Sequence, residues 1–274
     1  MSEQIARMID GATRLYGIIG DPIAQVKSPA VFTERFRALG QNAVMIPLHV
    51  KPDAFATCLR GLKSLANLDG ILVTIPFKNI LMNHVDLVLP AAKRVGAMNA
   101  LRRETDGTWS GDMFDGAGFL GGLRSSGLDP KGLAIMLIGA GGAGSAIADA
   151  LAEAEAGTIT IFDRHEDKAD ALARRVTQAH PGCTARMGHA TVDDMDLLIN
   201  ASPTGMAPGD GLPVPLGSFG KELFVADIIP RSDPTPLLAL AKECGCRTMA
   251  GEAMVAGQAG AILRFFGLSQ RGAV

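Results

Sequence analysis

The sequence predicts an α/β protein of two domains. Three observations carry this: a length above the usual single-domain size, strand-like runs alternating with helical stretches, and one glycine cluster between such a run and a helix. The cluster is the most specific of the three. The apolar run Ala134 to Ile138 breaks into Gly139-Ala140-Gly141-Gly142-Ala143-Gly144, and the alanine-rich stretch Ser145 to Ala156 reads as a helix. Gly139, Gly141 and Gly144 satisfy the spacing G-x-G-x-x-G. The first glycine makes the turn, the second admits close approach of a pyrophosphate, and the third lets helix and strand pack closely. A plain strand–helix turn also accommodates glycines. However, Asp163 follows Gly144 by nineteen residues, at the end of the run Thr158 to Phe162, where a carboxylate can accept the ribose hydroxyls of an adenosine. The second domain is therefore expected to be Rossmann-like and to bind a dinucleotide.

Composition fits a globular protein with sizeable cores, at 47% hydrophobic and 20% charged residues in 274. A formal net charge of -2, without a Lys/Arg run, offers no basic field for nucleic acid. No apolar run is long enough to span a membrane and the N-terminus lacks a signal-peptide core, so a cytoplasmic protein is expected. Cys58, Cys183, Cys244 and Cys246 have no second Cys pair or nearby His to complete a zinc site. They read as reduced thiols, and no metal is expected. No feature encodes an oligomeric state.

In chain order, Leu15 to Ile19 reads as a buried strand that ends at the turn Gly20-Asp21-Pro22. Ser28 or its neighbour is placed to cap a helix over Ala30 to Leu39. Ala43 to Val50 is the next strand, Pro52 to Leu62 the next helix, and Gly70 to Thr74 a third strand closed by Ile75-Pro76. This alternation predicts a mostly parallel sheet. Lys78 lies just past the third strand, where open α/β sheets present ligand-binding residues, although a solvated lysine also fits the position. Met98 to Arg102 is a further strand. Asp115 is an N-cap candidate for a helix over Ala117 to Arg124. With the domain boundary near Thr105, the second domain continues from Leu133 as strand, glycine turn, helix and strand. A helix over Asp167 to Ala179 follows, then strands at Thr184 to Met187, Met195 to Ile199 and Phe224 to Ile228. The polar loop Asn200 to Met206 lies on the same sheet edge as the glycine turn.

Together these motifs resemble the shikimate/quinate dehydrogenase family over nearly the whole chain. The resemblance rests on Gly20-Asp21-Pro22-Ile23 with Ser28-Pro29, Val73 to Lys78, Gly96 to Asn99, Gly111 to Phe119, the glycine turn, Asn200 to Met206, Thr235 to Leu238, and Gly251 with Met254 and Gln258. It implies a substrate domain at residues 1–104, completed by C-terminal helices at 240–274, and a Rossmann-like cofactor domain at 105–239. It further implies hydride transfer between a nicotinamide and a ring carbinol of shikimate, quinate or a related cyclic polyhydroxy carboxylate. Lys78 and Asp115 correspond to the family's catalytic pair, and Ser28, Thr74, Asn99 and Gln258 to its substrate-binding residues. Gly139, Ala140, Gly141, Gly142, Ala143, Asp163, Arg164, Ser202, Met206, Ile228 and Gly251 correspond to the cofactor site. An aminoshikimate-type dehydrogenase and a dinucleotide-binding sensor without turnover are the alternative readings.

The chemistry suits this assignment. A carbinol releases hydride only as its hydroxyl proton leaves, so a positioned base is needed, and the same group returns the proton in reduction. Desolvation lowers an amine's pKa toward neutrality, and a neighbouring carboxylate raises it. Lys78 either transfers the proton or polarises the oxygen. Asp163 would repel the 2′-phosphate of NADP and accept the 2′-OH of NAD, so NAD is the expected preference. NADP is the second choice, because Arg164 beside it could clasp a phosphate.

The sequence also departs from the family pattern. Val26 replaces the second carboxylate-binding serine, Gln25 the preceding histidine, and Phe32-Thr33 the His-Asn after Ser-Pro. Met113-Phe114 replaces Asn-Thr before Asp115, and Pro230 a tyrosine. Arg231 is either a replacement charge or an exposed loop arginine. Losing one hydrogen bond to a charged group costs about 1.5 to 3 kcal/mol, so weak activity on shikimate itself is expected.

Overall fold

The computed structural model describes residues 9–207, 209–215, 219–231 and 233–268. They divide into two compact units. The first runs through Phe114 and resumes at Ala259, and the second is Asp115–Gln258.

In the first unit, β1 (Arg14–Gly20), β2 (Ala43–His49), β3 (Leu68–Val73), β4 (Leu87–Val88), β5 (Ala100–Arg103) and β6 (Trp109–Asp112) form one sheet in the order β2-β1-β3-β5-β6-β4. The sheet is mixed: β1 pairs parallel with β2 and β3, and β4 with β6, whereas β5 is antiparallel to both β3 and β6. Helices α1 (Ser28–Ala38), α2 (Phe55–Lys63) and α3 (Pro90–Val95) complete the elements before Phe114. Pro52–Ala54 is a 3-10 turn ahead of α2, so the expected single helix from Pro52 starts three residues later. Tyr16 and Ile18 of β1 pack with Phe32 and Phe36 of α1 and with Ile262, Phe265 and Phe266 near the C-terminus. Phe55 stacks on Phe77 at 4.3 Å. Each such fully buried side chain contributes about 1.5–3 kcal/mol.

The expected boundary near Thr105 falls inside the β5–β6 hairpin, whose strands pair in register, Arg103 opposite Trp109. The division falls at Phe114 instead, because cutting a hairpin would sever its ladder. Likewise α7 (Pro236–Glu243) and β12 (Arg247–Ala250) belong to the second unit, and the return to the first begins at Ala259 rather than at 240. β12 pairs with the strand Phe224–Asp227, which fixes that segment.

The second unit holds β7 (Ala134–Ile138), β8 (Thr158–Phe162), β9 (Thr184–Met187), β10 (Leu197–Asn200), β11 (Phe224–Asp227) and β12, all parallel, in the order β12-β11-β10-β7-β8-β9. The strand order reverses between β7 and β10, the place where open α/β sheets bind ligands. Alternation along the strands builds two faces. Ile135, Leu137, Ile159, Ile161, Leu197 and Ile199 face α4 (Asp115–Ser125), α5 (Gly142–Glu153) and α6 (Glu166–Ala179). Met136, Ile138, Leu198 and Val225 face α7 on the other side. That period of two, apolar in both phases, is the mark of a strand buried on both faces.

α5 opens at Gly142, inside the glycine cluster, and ends before Ala156 because Glu155 adopts φ 63. α4 opens at Asp115 itself. α8 (Gly251–Phe265) crosses the unit division, contributing Met254 to the core of the second unit and Ile262 to that of the first. Among the described residues no helix is long and apolar enough to cross a membrane, and no three His, Cys, Asp or Glu side chains gather as metal ligands. All four cysteines are free, and burial raises the pKa of Cys183 and Cys246, which makes them poor nucleophiles.

Candidate active site

In the first unit, the polar side chains singled out from the sequence gather on one sheet edge. β1 and β3 run parallel, so Ser28, which opens α1 after β1, and Thr74, which directly follows β3, leave the sheet on the same side. β5 runs antiparallel to β3, which brings Asn99, just before β5, to that side as well. Backbone bonds hold the group together: Val73 N donates to Asn99 O at 2.8 Å, Thr74 N to Ile19 O at 2.9 Å, and Met98 N to Lys78 O at 2.9 Å. Phe77, fully buried on Phe55, anchors the turn that carries Lys78. Asn99 is buried, and its Oδ1 accepts from Phe114 N at 2.9 Å, fixing the residue that precedes Asp115. Of Ser28 and its neighbour, Lys27 takes the N-cap position of α1, and its side chain makes no capping hydrogen bond.

In the second unit, Asp115 is buried at 2% exposure where α4 begins. One turn on, Gly118 packs so tightly on α8 that a Cβ there would sit 2.7 Å from the Gln258 Cβ. Asp115 and Gln258 thus belong to one helix pair, and Ser28, Thr74, Lys78 and Asn99 to one sheet edge.

The glycine turn lies at the C-terminal edge of β7. Gly139 has φ +108, a conformation that favours glycine, and a Cβ on Gly144 would lie 2.0 Å from Gly139 O. At Gly141, the N-cap of α5, nothing lies within 4 Å of an added Cβ, so the backbone meets open space. The first N–H groups of a helix lack intrahelical acceptors, and here they are placed to receive an anion. Asp163 at the end of β8 is drawn to this turn: its Oδ2 accepts from Ala140 N at 2.8 Å and its Oδ1 from His165 N at 2.9 Å. Arg164 is exposed. Gly251 abuts the Ile228 carbonyl, where a Cβ would sit 2.4 Å from the oxygen. This donor set and glycine cradle fit the pyrophosphate and ribose of a dinucleotide.

Comparison with known proteins agrees with this geometry. Residues 18–101 match the family model of the shikimate dehydrogenase substrate binding domain, and residues 124–205 that of shikimate / quinate 5-dehydrogenase. A shikimate dehydrogenase (NADP(+)) of Moorella thermoacetica is 35% identical over 252 residues, 89% of this chain and 84% of that one. The chain belongs to the shikimate/quinate dehydrogenase family. It is an NAD(P)-dependent oxidoreductase of the kind that acts on ring carbinols. Among solved structures, the 5-ketofructose reductase of Gluconobacter sp. strain CHM43 is 30% identical with a TM-score of 0.80, covering 93% of this chain and 92% of that one. The shikimate 5-dehydrogenase from Listeria monocytogenes, in complex with shikimate and NAD, is 29% identical with a TM-score of 0.81, covering 96% and 94%.

One polar network escaped the sequence reading. Asn200 and Asp227, paired in register at the ends of β10 and β11, are both fully buried. Asn200 Oδ1 accepts from the N and Oγ of Ser202 at 3.0 and 2.7 Å, and its Nδ2 donates to Thr204 O and to Asp227 Oδ2. Asp227 also accepts from Thr235 Oγ1 at 2.7 Å and Ile229 N at 3.1 Å. The network shapes the loop that carries Ser202 and Met206. An acid closing the apolar run Phe224 to Ala226 is the signal that could have revealed it. Arg231 is half-buried rather than exposed, and its Nη1 donates to Gly205 O at 2.9 Å, bracing the same loop.

Close packing at Gly144 makes it sensitive to one added methyl. Gly144→Ala should weaken cofactor binding at least tenfold and destabilise the fold by about 1–3 kcal/mol, read by cofactor titration and thermal unfolding.

Proposed function

We propose that this chain interconverts a ring carbinol and its ketone, with Lys78 at the reacting oxygen, Asp115 as the balancing carboxylate, and shikimate itself a weak substrate. The observation that carries the reading is the edge cluster of the first sheet. There the backbone carbonyl of Lys78 accepts from Met98 N, which sets Lys78 on the same edge as Thr74 and Asn99, two residues with uncharged hydrogen-bonding side chains. Such a set suits a polyol: hydroxyls pair with the short polar groups, and a substrate lacking them would leave buried donors and acceptors unpaired. Loss of the carbinol hydrogen as hydride requires the hydroxyl proton to leave; Lys78 Nζ either takes that proton and returns it in reduction, or polarises the oxygen as the proton departs. When bound, the nicotinamide supplies the hydride acceptor for oxidation and the donor for reduction. Gln258 and Ser28 complete the substrate contacts. The residues from Gly139 to Ala143 hold the pyrophosphate, with Ser202, Met206, Ile228 and Gly251 around the rest of the cofactor. Nicotinamide absorbance, followed with shikimate and quinate in both directions, tests the reading.

The preferred cofactor in this reading is NAD, although the Moorella relative is named for NADP(+). A carboxylate pinned by two backbone N–H groups at the end of β8 accepts a ribose 2′-OH and repels a 2′-phosphate. Exposed Arg164 is solvated and offsets little of that repulsion. NAD should therefore show the lower dissociation constant, and Asp163→Asn should narrow the gap about tenfold. Tighter NADP binding by the unmodified chain in a fluorescence titration would reject the preference.

A further inference from the structure

The edge that carries Thr74, Lys78 and Asn99 also carries residues 21–28, the loop from β1 to α1. A carboxylate leaving water at this edge needs a cation or several aimed donors, and the loop supplies few. Lys51 and His49 surround Asp21, at 3.1 and 3.3 Å from its two oxygens and 2.6 Å from Oδ1, and these bonds hold the Asp21 carboxyl below its usual pKa. Gln25 Nε2 donates to Pro22 O at 3.0 Å. Val26 packs against the aromatic core, and Phe114 lies against Phe265 with ring centroids 5.1 Å apart. Thr33 Oγ1 accepts from Met45 N at 3.0 Å, which ties that side chain to β2. Ser28 is the one hydroxyl in the loop sequence. Lys27 beside it is exposed, where an ion pair in water adds little.

We propose that the preferred substrate is an uncharged polyhydroxylated carbinol, or the ketone it interconverts with, which offers hydroxyls to Thr74 and Asn99 and presents no carboxylate to the wall at Val26. This deepens, and rests on, the reading of Lys78 as the group at the reacting oxygen. Hydroxyl recognition is kept, while the loop donors open to a carboxylate are reduced to the Ser28 hydroxyl.

The test is a kinetic panel on the full chain with NAD and NADP: shikimate and quinate, myo-inositol as an uncharged ring polyol, and 5-ketofructose as an uncharged polyhydroxy ketone in the reductive direction. The best uncharged probe should exceed shikimate at least thirtyfold in kcat/KM. Val26→Ser should move that ratio about tenfold toward shikimate, through KM, by returning one hydrogen bond to a charged group. Shikimate or quinate handled as efficiently as the best uncharged probe, or a ratio unmoved by Val26→Ser, would overturn the proposal and leave the dehydrogenase reading intact. Absence of turnover with every probe in both directions would instead overturn that reading, and the proposal with it.

Discussion

Lys78→Ala is expected to lower kcat by about three orders of magnitude while leaving the dissociation constant of the cofactor within about twofold. A positioned acid–base group contributes roughly 10² to 10⁴ in rate, or about 3–5 kcal/mol. The cofactor residues belong to the parallel sheet of the second unit, so truncation of a side chain in the first should not disturb them. Lys78→Arg separates the two roles open to the amine. A guanidinium keeps the charge and does not deprotonate in proteins. If Lys78 transfers the proton, Arg should be nearly as inactive as Ala. If it mainly polarises the oxygen, Arg should recover a substantial part of the rate. Steady-state turnover followed by nicotinamide absorbance makes the comparison, and an Ala variant within tenfold of the parent would remove Lys78 from the reaction. A cofactor-binding sensor is the outcome in which the parent chain binds ligand and turns over none of the panel.

The glycine turn was legible in the sequence because its constraints are local. A φ of +108 at Gly139 and the contact of Gly144 with the Gly139 carbonyl leave no room for a Cβ, and glycines stand at both positions. The strands β7, β8, β10 and β11 were legible for a similar reason: short runs dominated by apolar and β-branched residues and bounded by polar turns have few other uses in an α/β chain. Elements that depend on distant partners were not. β4 is two residues long and exists because β6, more than twenty residues on, offers it a ladder. The expected parallel sheet of the first unit became mixed, since Ala100–Arg103 carries no mark of strand direction and turns antiparallel only by joining β3 and β6. The division of α8 after Gln258 is equally silent, because apolar residues continue on both sides of it. The edge cluster of the first unit lay between these extremes. Thr74 and Lys78 follow directly from the end of a readable strand, whereas Asn99 joins them through the antiparallel pairing of β5.

The Asn200–Asp227–Thr235 network leads to the largest expected stability effect. Asp227 is fully buried, and burial raises its carboxyl pKa above the ordinary value even though three donors stabilise its charge. Asp227→Ala would leave the Asn200 amide, the Thr235 hydroxyl and the Ile229 N–H without this acceptor, in a place water does not reach. Each orphaned donor costs about 1–3 kcal/mol, and the Thr235 hydroxyl recovers part of its share by rotating, so a net loss of about 3 kcal/mol is expected. At roughly 2–4 °C per kcal/mol, Tm should fall by about 6–12 °C. Asp227→Asn keeps a carbonyl for the Ile229 N–H and an amide that can donate to Thr235, but it sets that amide against the Asn200 amide. Its loss should be about half as large. The pH dependence follows from the raised pKa. Between the unfolded value near 3.9 and the higher folded one, the unfolded chain has released the Asp227 proton and the folded chain retains it. Stability from this group is therefore greatest below about pH 3.9, and it declines as pH rises through the folded pKa. Asn does not titrate, so the penalty of Asp227→Asn relative to the parent should shrink as pH rises through that interval and then level off. Thermal unfolding followed by circular dichroism from pH 4 to 8 measures both effects. An Asp227→Ala variant within 2 °C of the parent, or an Asn penalty that grows with pH, would show that the network does not hold the loop as its geometry indicates.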